Sequence, residues 1–171
     1  MSHPDTATGL NNLAFLLQDQ GDFSGARPLY ERALAISEKT LGPEHPDTAV
    51  SLNNLAYLLM EHGDHAGARP LFERALAVSE KMLGAEHPNT NRGRRNLAVS
   101  LLASGSEGDA RTLGEAALAA HEKALGRDHS WTRDSAGVTA DALDALGFAA
   151  QAAALRKSYG IGNDSKRDDR E

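Results

Sequence analysis

Residues 45–86 read HPDTAVSLNNLAYLLMEHGDHAGARPLFERALAVSEKMLGAE, and this stretch decides the fold because it is one copy of a repeat. The preceding stretch, residues 3–44, is identical to it at 30 of 42 positions. Residues 87–128 match less closely, and residues 129–160 keep only a few positions. A fixed period of this length indicates a repeat architecture. We therefore predict one domain over residues 1–160, with three clear copies and a degenerate fourth.

Apolar residues within one copy recur with the period of an α-helix. The stripe of a first helix falls at i, i+3, i+4 and i+7 and consists of Leu52, Leu55, Ala56 and Leu59. Gly63 and Asp64 interrupt the pattern, and a second helix of about twenty residues follows. Its apolar face carries Ala68, Phe72, Ala75 and Leu76. One hairpin cannot bury both faces, so we predict an all-α solenoid of stacked antiparallel helix pairs, about eight helices in total.

The start of each copy has two interpretations. His45-Pro46-Asp47-Thr48 could belong to a metal or proton-transfer site, or it could begin a helix. Proline suits the first helical position, because its missing N–H would be unpaired there, and aspartate suits the positive end of the helix dipole. Gly42 suits the end of the preceding helix, since glycine readily adopts a left-handed backbone. Histidines of successive copies would lie about 10 Å apart, too far to share a metal ion, so we predict helix caps and no metal site.

The bulk composition excludes several classes of function. The 171 residues contain no cysteine, which excludes disulfide frameworks and thiol catalysis and favours a cytoplasmic location. The net charge of −6 argues against a nucleic-acid partner, because such domains normally have a basic surface. No apolar run is long enough to span a membrane, and no signal peptide is evident. No catalytic motif is present, so we predict no enzymatic activity and no cofactor.

Residues 52–75 carry the pattern L-x-x-L-A-x-x-L followed by A-x-x-x-F and a further alanine, which resembles the tetratricopeptide repeat (TPR) signature. The 42-residue period and the segments LNNLA, GARPLFERALAVSEKMLG and HPDT look like the longer variant found in kinesin light chains and in many bacterial repeat proteins. The likeness is strong over residues 3–130 and weak over residues 131–160. It implies a right-handed superhelix whose first helices line a concave groove that binds peptides or protein partners. It implies no catalysis.

The first helices have a second face, turned about 100° from the apolar stripe, that we expect to line the groove. In the first two copies this face carries amide and aromatic side chains: Asn11, Asn12, Phe15, Gln18, Asn53, Asn54 and Tyr57. Amides donate and accept hydrogen bonds, so they suit the backbone of an extended peptide, and the aromatic rings suit its side chains. The alternative is that the asparagines bond to neighbouring backbone or bridge adjacent repeats.

Residues 91–96 read NRGRRN and form the densest basic patch. Arg92, Arg95 and Asn96 are predicted on the groove side, where guanidinium groups suit an acidic motif or a chain terminus of a partner. The TPR resemblance also implies carboxylate binding by basic and asparagine side chains at matching places. The alternative is a solvated helix face balanced by nearby acids.

Three residues of the later copies depart from the pattern or stand alone. Gly114 replaces the aromatic residue Tyr30 or Phe72 of the first two copies, which predicts a looser third hairpin. Arg94 stands on the apolar stripe, so its stem must pack while its charged end reaches water. Trp131 is the only tryptophan, and we expect it to pack against the last hairpin rather than bind a ligand.

These features predict a protein-interaction module, an adaptor or scaffold that binds a peptide segment of a partner in the groove. The alternative is a structural protein that forms homo-oligomers by end-to-end stacking, because no capping helix precedes the first hairpin in this sequence. Residues 161–171 are predicted to form a disordered tail, since they are almost entirely polar or charged.

Overall fold

A computed structural model describes residues 4–162 of the chain. Within that range the chain forms eight α-helices and no strand. The helices are α1 (Pro4–Asp19), α2 (Phe23–Thr40), α3 (Pro46–Glu61), α4 (His65–Leu83), α5 (Pro88–Ala103), α6 (Glu107–Leu125), α7 (Ser130–Ala145) and α8 (Ala149–Tyr159). The predicted number and type of elements are therefore confirmed. Most of the predicted tail, from residue 163 onward, lies outside the described residues.

The helices form two compact units, Met1–Ala85 and Glu86–Glu171. In unit 1, α1 pairs with α2 and α3 with α4, and α3 also packs on α2. In unit 2, α5 pairs with α6 and α7 with α8, and α7 also packs on α6. The division coincides with the end of the second sequence copy. A single domain over residues 1–160 stays a prediction.

Three of the four repeated histidines are helix caps, and the first, His3, lies outside the described residues. His45, His87 and His129 lie in extended backbone as N-caps, and their Nδ1 atoms accept a hydrogen bond from the backbone N–H two residues later at 3.1, 3.2 and 3.2 Å. The glycine that ends each preceding helix has positive φ, as expected. At Gly84 and Gly126, however, ψ is 162° and 166°, so the backbone is extended rather than left-handed helical. That region of φ and ψ is essentially restricted to glycine.

The predicted apolar stripes are buried in unit 1. They comprise Leu52, Leu55, Ala56 and Leu59 of α3, and Ala68, Phe72, Ala75 and Leu76 of α4. Asp64 begins α4, because its Oδ1 accepts a hydrogen bond from the Gly67 N–H at 2.9 Å. Pro70 lies inside α4 without ending the helix.

Gly114 of α6 does not leave an empty space. A Cβ atom at this position would lie 2.7 Å from Thr139 Oγ1, which shows that α7 approaches α6 closely here. Thr139 therefore occupies the space that an aromatic ring at Gly114 would need. We expected looser packing around Gly114, but this contact is close. Arg94, the other departure, donates from Nη1 to Asn91 Oδ1 at 2.8 Å.

Polar contacts hold α8 against the other helices of unit 2. The Arg156 side chain is only 11% exposed and pairs with Asp141 at 2.6 Å and with Asp144 at 2.5 Å, which joins α8 to α7. Arg127 donates from Nε and Nη2 to the Ser158 carbonyl oxygen at 3.1 and 2.7 Å, near the end of α8. These bonds satisfy a carbonyl that has no partner within the helix.

Candidate functional site

An open pocket of about 560 Å³ lies between α1, the start of α2 and the end of α3 in unit 1. We call it the acidic–aromatic pocket, and it is lined by Phe15, Gln18, Asp19, Phe23, Tyr57 and Glu61. Three predicted groove residues, Phe15, Gln18 and Tyr57, therefore come together. Phe15 is 61% exposed and Tyr57 36% exposed, so both rings are accessible from solvent.

Gln18 is buried beneath this pocket and has a structural role. Its Oε1 accepts a hydrogen bond from the Tyr30 hydroxyl at 3.0 Å, and its Nε2 donates to Glu61 Oε2 at 2.5 Å. Both ends of the amide are therefore in use within the protein, and peptide binding by Gln18 stays a prediction. The amide instead fixes the position of the Glu61 carboxylate.

A second, smaller pocket of about 190 Å³ contains three of the predicted asparagines: Asn11, Asn12 and Asn54. We call it the amide pocket. Asn11 donates from Nδ2 to Ser51 Oγ at 3.0 Å, so it bridges α1 and α3, while its buried Oδ1 has no hydrogen-bond partner in residues 4–162. Asn12 is exposed and Asn54 is half-buried. Asn53 is half-buried and is not among the residues that line either pocket.

Unit 2 contains the predicted basic residues on α5. The Arg92 guanidinium lies 5.2 Å from the centroid of the Trp131 ring, and burial lowers its pKa. Neither Arg92 nor Arg95 forms an ion pair with a carboxylate in the described range 4–162. Asn96 is only 6% exposed, and its Oδ1 accepts a hydrogen bond from Arg95 Nη1 at 3.1 Å. Asn96 is therefore mostly buried, and peptide binding by Asn96 stays a prediction.

Trp131 packs against protein side chains, as expected. It extends from α7 onto α5 and α6, where it contacts Arg92 and lies 5.9 Å from the ring of His121. His121 is buried and donates from Nε2 to the Pro88 carbonyl at 3.0 Å, so its Nδ1 accepts from the Ser135 hydroxyl at 3.0 Å. Burial lowers the pKa of His121. Trp131 also makes an edge-to-face contact with the ring of His129, the N-cap of its own helix α7, at 5.6 Å between ring centroids. Its partners therefore lie on both the third and the last hairpin.

Two kinds of site are not found in the part of the chain that the structure describes. Among residues 4–162, no group of three or more histidine, aspartate and glutamate side chains is placed to hold a metal ion. Over the same residues, no helix has the length and hydrophobicity needed to cross a membrane.

The sequence analysis did not identify Asp19, Phe23 and Glu61 as site residues. Asp19 follows Phe15 by four residues, and Glu61 follows Tyr57 by four. Residues four apart lie on the same face of a helix, so this spacing could have identified both acids. Phe23 begins α2 on the far side of a turn, where the period of α1 gives no signal.

A family model described as tetratricopeptide repeat matches residues 5–81 and 49–120. A search of curated proteins gives no significant match.

Solved structures resemble this chain over most of its length. Two belong to a Podosopora anserina protein described as a kinesin light chain with nearly identical TPR-like repeats. The alignment with one of these structures has a TM-score of 0.85 at 30% identity, and it covers 98% of this chain and 80% of the chain in that structure. The other is a point variant of that protein, with a TM-score of 0.80 at 30% identity, covering 93% and 75%. BtubC (BKLC) from P. vanneervenii has a TM-score of 0.79 at 21% identity, covering 99% and 70%. These likenesses confirm the predicted fold class, an all-α repeat solenoid of helical hairpins.

Proposed function

Because the chain belongs to the tetratricopeptide repeat family, whose members generally bind other proteins, we propose that it is an interaction module that holds a peptide segment of a partner. In unit 1 the candidate binding surface is formed by the first helices of the hairpins, α1 and α3, and in unit 2 a separate candidate surface is formed by α5. We propose a role as adaptor or scaffold in the cytoplasm, without catalysis.

The observation that carries this proposal is the exposure of Phe15. A phenylalanine that is 61% exposed contributes little to the core, and it lines a pocket that contains a second accessible ring, Tyr57. Aromatic side chains in such positions are the residues that most often dominate protein–protein binding. The nearby amide pocket offers Asn12 and Asn54 for the backbone of the bound segment.

Unit 2 supports an acidic or C-terminal motif in the same partner. Arg92 and Arg95 have no carboxylate partner within residues 4–162, and Arg92 is partly desolvated against Trp131. A desolvated guanidinium gains more from a carboxylate than one in water does, because the local dielectric is lower. We therefore propose that these two arginines bind carboxylate groups of the partner.

The proposal is tested by selecting peptides on the full chain from a displayed library of random segments. Affinity of the selected peptides is then measured for the native chain and for Phe15→Ala. We expect a loss of about tenfold or more, as for an aromatic residue at the centre of an interface. Phe148→Ala is the matched control, since Phe148 is also exposed, at 43%, but lies at the start of α8 outside both pockets. Equal binding by all three proteins would refute the proposal.

A second candidate function, self-association, is favoured by a different surface. The stacking face of α1 consists of Thr6, Gly9, Leu13 and Leu16. Leu13 is 47% and Leu16 55% exposed, whereas their repeat equivalents Leu55 and Leu58 in α3 are 6% and 2% exposed. Leu58 lies beside the start of α2, so the equivalent face of α3 is covered by the preceding hairpin. The α1 face differs from it only in having Gly9 in place of Ser51, and it has no such cover among residues 4–162.

The last described helix, α8, does not provide a matching surface. In α8 the position of Tyr30 is taken by Arg156, which is paired with Asp141 and Asp144. A second copy would therefore bury Leu13 and Leu16 most effectively against the same face of its own α1. Such an interface is self-complementary and gives a closed dimer, not a filament.

Sedimentation equilibrium of the full chain tests self-association directly. The candidate function predicts a mass of twice 18.2 kDa for the native chain and a return to 18.2 kDa for Leu16→Glu. Leu146→Glu, at a position that is 37% exposed between α7 and α8, should leave the dimer intact. A native monomer at concentrations up to about 100 µM would exclude this function, and so would assemblies larger than a dimer.

A further inference from the structure

The acidic–aromatic pocket combines two exposed carboxylates with three aromatic rings. Asp19 and Glu61 supply the carboxylates, and Phe15, Phe23 and Tyr57 supply the rings. Its volume of about 560 Å³ is large enough for a long side chain together with part of its backbone. The ring of Phe23 makes an edge-to-face contact with the ring of His62, with 5.7 Å between the two ring centroids.

The negative charge of this pocket is not neutralised by unit 1. Unit 1 contains 11 acidic and 6 basic residues. Four of those bases form ion pairs with acids outside the pocket: Arg27 with Glu31, Arg69 with Glu73, Arg74 with Glu38, and Lys81 with Glu44. Among the described residues, neither Asp19 nor Glu61 has a basic partner, and the one hydrogen bond to Glu61 comes from the neutral amide of Gln18.

The Glu61 carboxylate is held in place before any ligand arrives. Gln18 donates to it and is itself fixed by the Tyr30 hydroxyl. Burial, and secondly the nearby charge of Glu61, raise the pKa of Tyr30 to about 12. The hydroxyl therefore remains protonated at neutral pH and continues to donate to Gln18. A fixed acceptor costs less entropy on binding than a mobile one.

We propose that the acidic–aromatic pocket binds the side chain of an arginine in the partner segment. A guanidinium group is planar, so it stacks on aromatic rings while its N–H groups donate to carboxylates. This inference rests on the proposed function and deepens it, since it gives unit 1 a preference for a basic residue. It is distinct from the carboxylate binding proposed for Arg92 and Arg95 of unit 2.

The test uses two short peptides that differ only in charge, added to the full isotope-labelled chain and followed by NMR. One is acetyl-Ser-Gly-Arg-Gly-Ser-amide, and in the other citrulline replaces arginine. We expect saturable shifts of the backbone amides in α1 and α3 with the arginine peptide. Binding of the citrulline peptide should be weaker by about fivefold or more, because a cation near two carboxylates and aromatic rings gains about 1 kcal/mol or more.

A double variant, Asp19→Asn/Glu61→Gln, should weaken binding of the arginine peptide by a similar factor. Glutamine can still accept the Gln18 hydrogen bond, so the fold is preserved. The matched control is Asp109→Asn/Asp128→Asn, which removes two negative charges from exposed positions of unit 2 and should leave the affinity unchanged.

Equal binding of the arginine and citrulline peptides would overturn the inference, and so would the absence of saturable shifts. An equal loss of affinity in the control variant would also overturn it, because a nonspecific effect of net charge would then explain the result. The proposed function is judged separately. If library peptides without arginine bind in a manner that depends on Phe15, the interaction module stands and the arginine pocket does not.

Discussion

Replacing Gly114 by alanine tests the close approach of α7 to α6. The added Cβ would lie 2.7 Å from Thr139 Oγ1, closer than real Cβ contacts, so either the Thr139 side chain or one of the two helices must move. Overpacking of this kind costs about 1–3 kcal/mol. Alanine in place of glycine within a helix also stabilises by about 1 kcal/mol, so the net change in unfolding free energy should lie between about zero and a loss of 2 kcal/mol.

Gly137→Ala provides the matched control. Gly137 also lies within a helix of unit 2, but a Cβ there has no neighbour within 4 Å. It should stabilise by up to about 1 kcal/mol, so the two variants should differ by about 1–3 kcal/mol. Urea unfolding followed by Trp131 fluorescence measures the difference, because the only tryptophan lies in unit 2 against α5 and α6.

Removing the hydroxyl that causes the contact should reverse the result. Thr139→Ala alone loses the hydrogen bond from Thr139 Oγ1 to the Ser135 carbonyl at 2.7 Å. In that background the nearest remaining atoms around an alanine at position 114 lie 3.4 and 3.5 Å away, so Gly114→Ala should become favourable. If Gly114→Ala stabilises the native chain as much as Gly137→Ala does, α6 and α7 are not in close contact and the reasoning fails.

Two further changes test other contacts. Because burial lowers the pKa of His121, unit 2 should be fully stable above the unfolded-state pKa of about 6.5 and should lose stability as the pH falls below it. Urea unfolding followed by Trp131 fluorescence at several pH values measures this loss of stability. His121→Ser, which restores the residue of the first two copies, should reduce the dependence of stability on pH. The same pH dependence in this variant would show that His121 is not its cause. Asp64→Ala removes the N-cap of α4 and should destabilise the start of the helix by about 0.5–2 kcal/mol. Asp64→Asn should destabilise it by less. Amide hydrogen exchange measures both effects, and equal effects of the two variants would argue against a capping role of Asp64.

Most of the fold can be predicted from the sequence because the same local signals recur in successive copies of the repeat. Helical periodicity places the buried stripe of α3, and local capping chemistry places the starts of α3, α5 and α7 at their histidines. Both signals are local, so they depend on residues only a few positions apart. The same local rules suggest a gap at Gly114, where Thr139 of another helix fills the space.

The candidate site is less predictable, since its contacts join residues that are far apart in the chain. Periodicity places Gln18 on the groove side, but only the structure shows that its partners are Tyr30 and Glu61, which lie 12 and 43 residues away. Asn96 falls on the same face as Asn12 and Asn54 by repeat position, yet it is buried while Asn12 is exposed. A repeat position fixes the side of a helix, whereas burial depends on the neighbouring helices.

The Gln18 amide also distinguishes the correct pairing of two nearly identical hairpins. With 30 of 42 positions in common, the apolar surfaces of the first two copies are almost interchangeable, so hydrophobic contact alone barely favours α2 over α4 as the partner of α1. In α4 the equivalent of Tyr30 is Phe72, which cannot donate a hydrogen bond. A mispaired hairpin would therefore leave the amide oxygen buried and unsatisfied, at a cost of about 1–3 kcal/mol. One polar side chain thus gives the chain its register and opposes domain swapping between molecules.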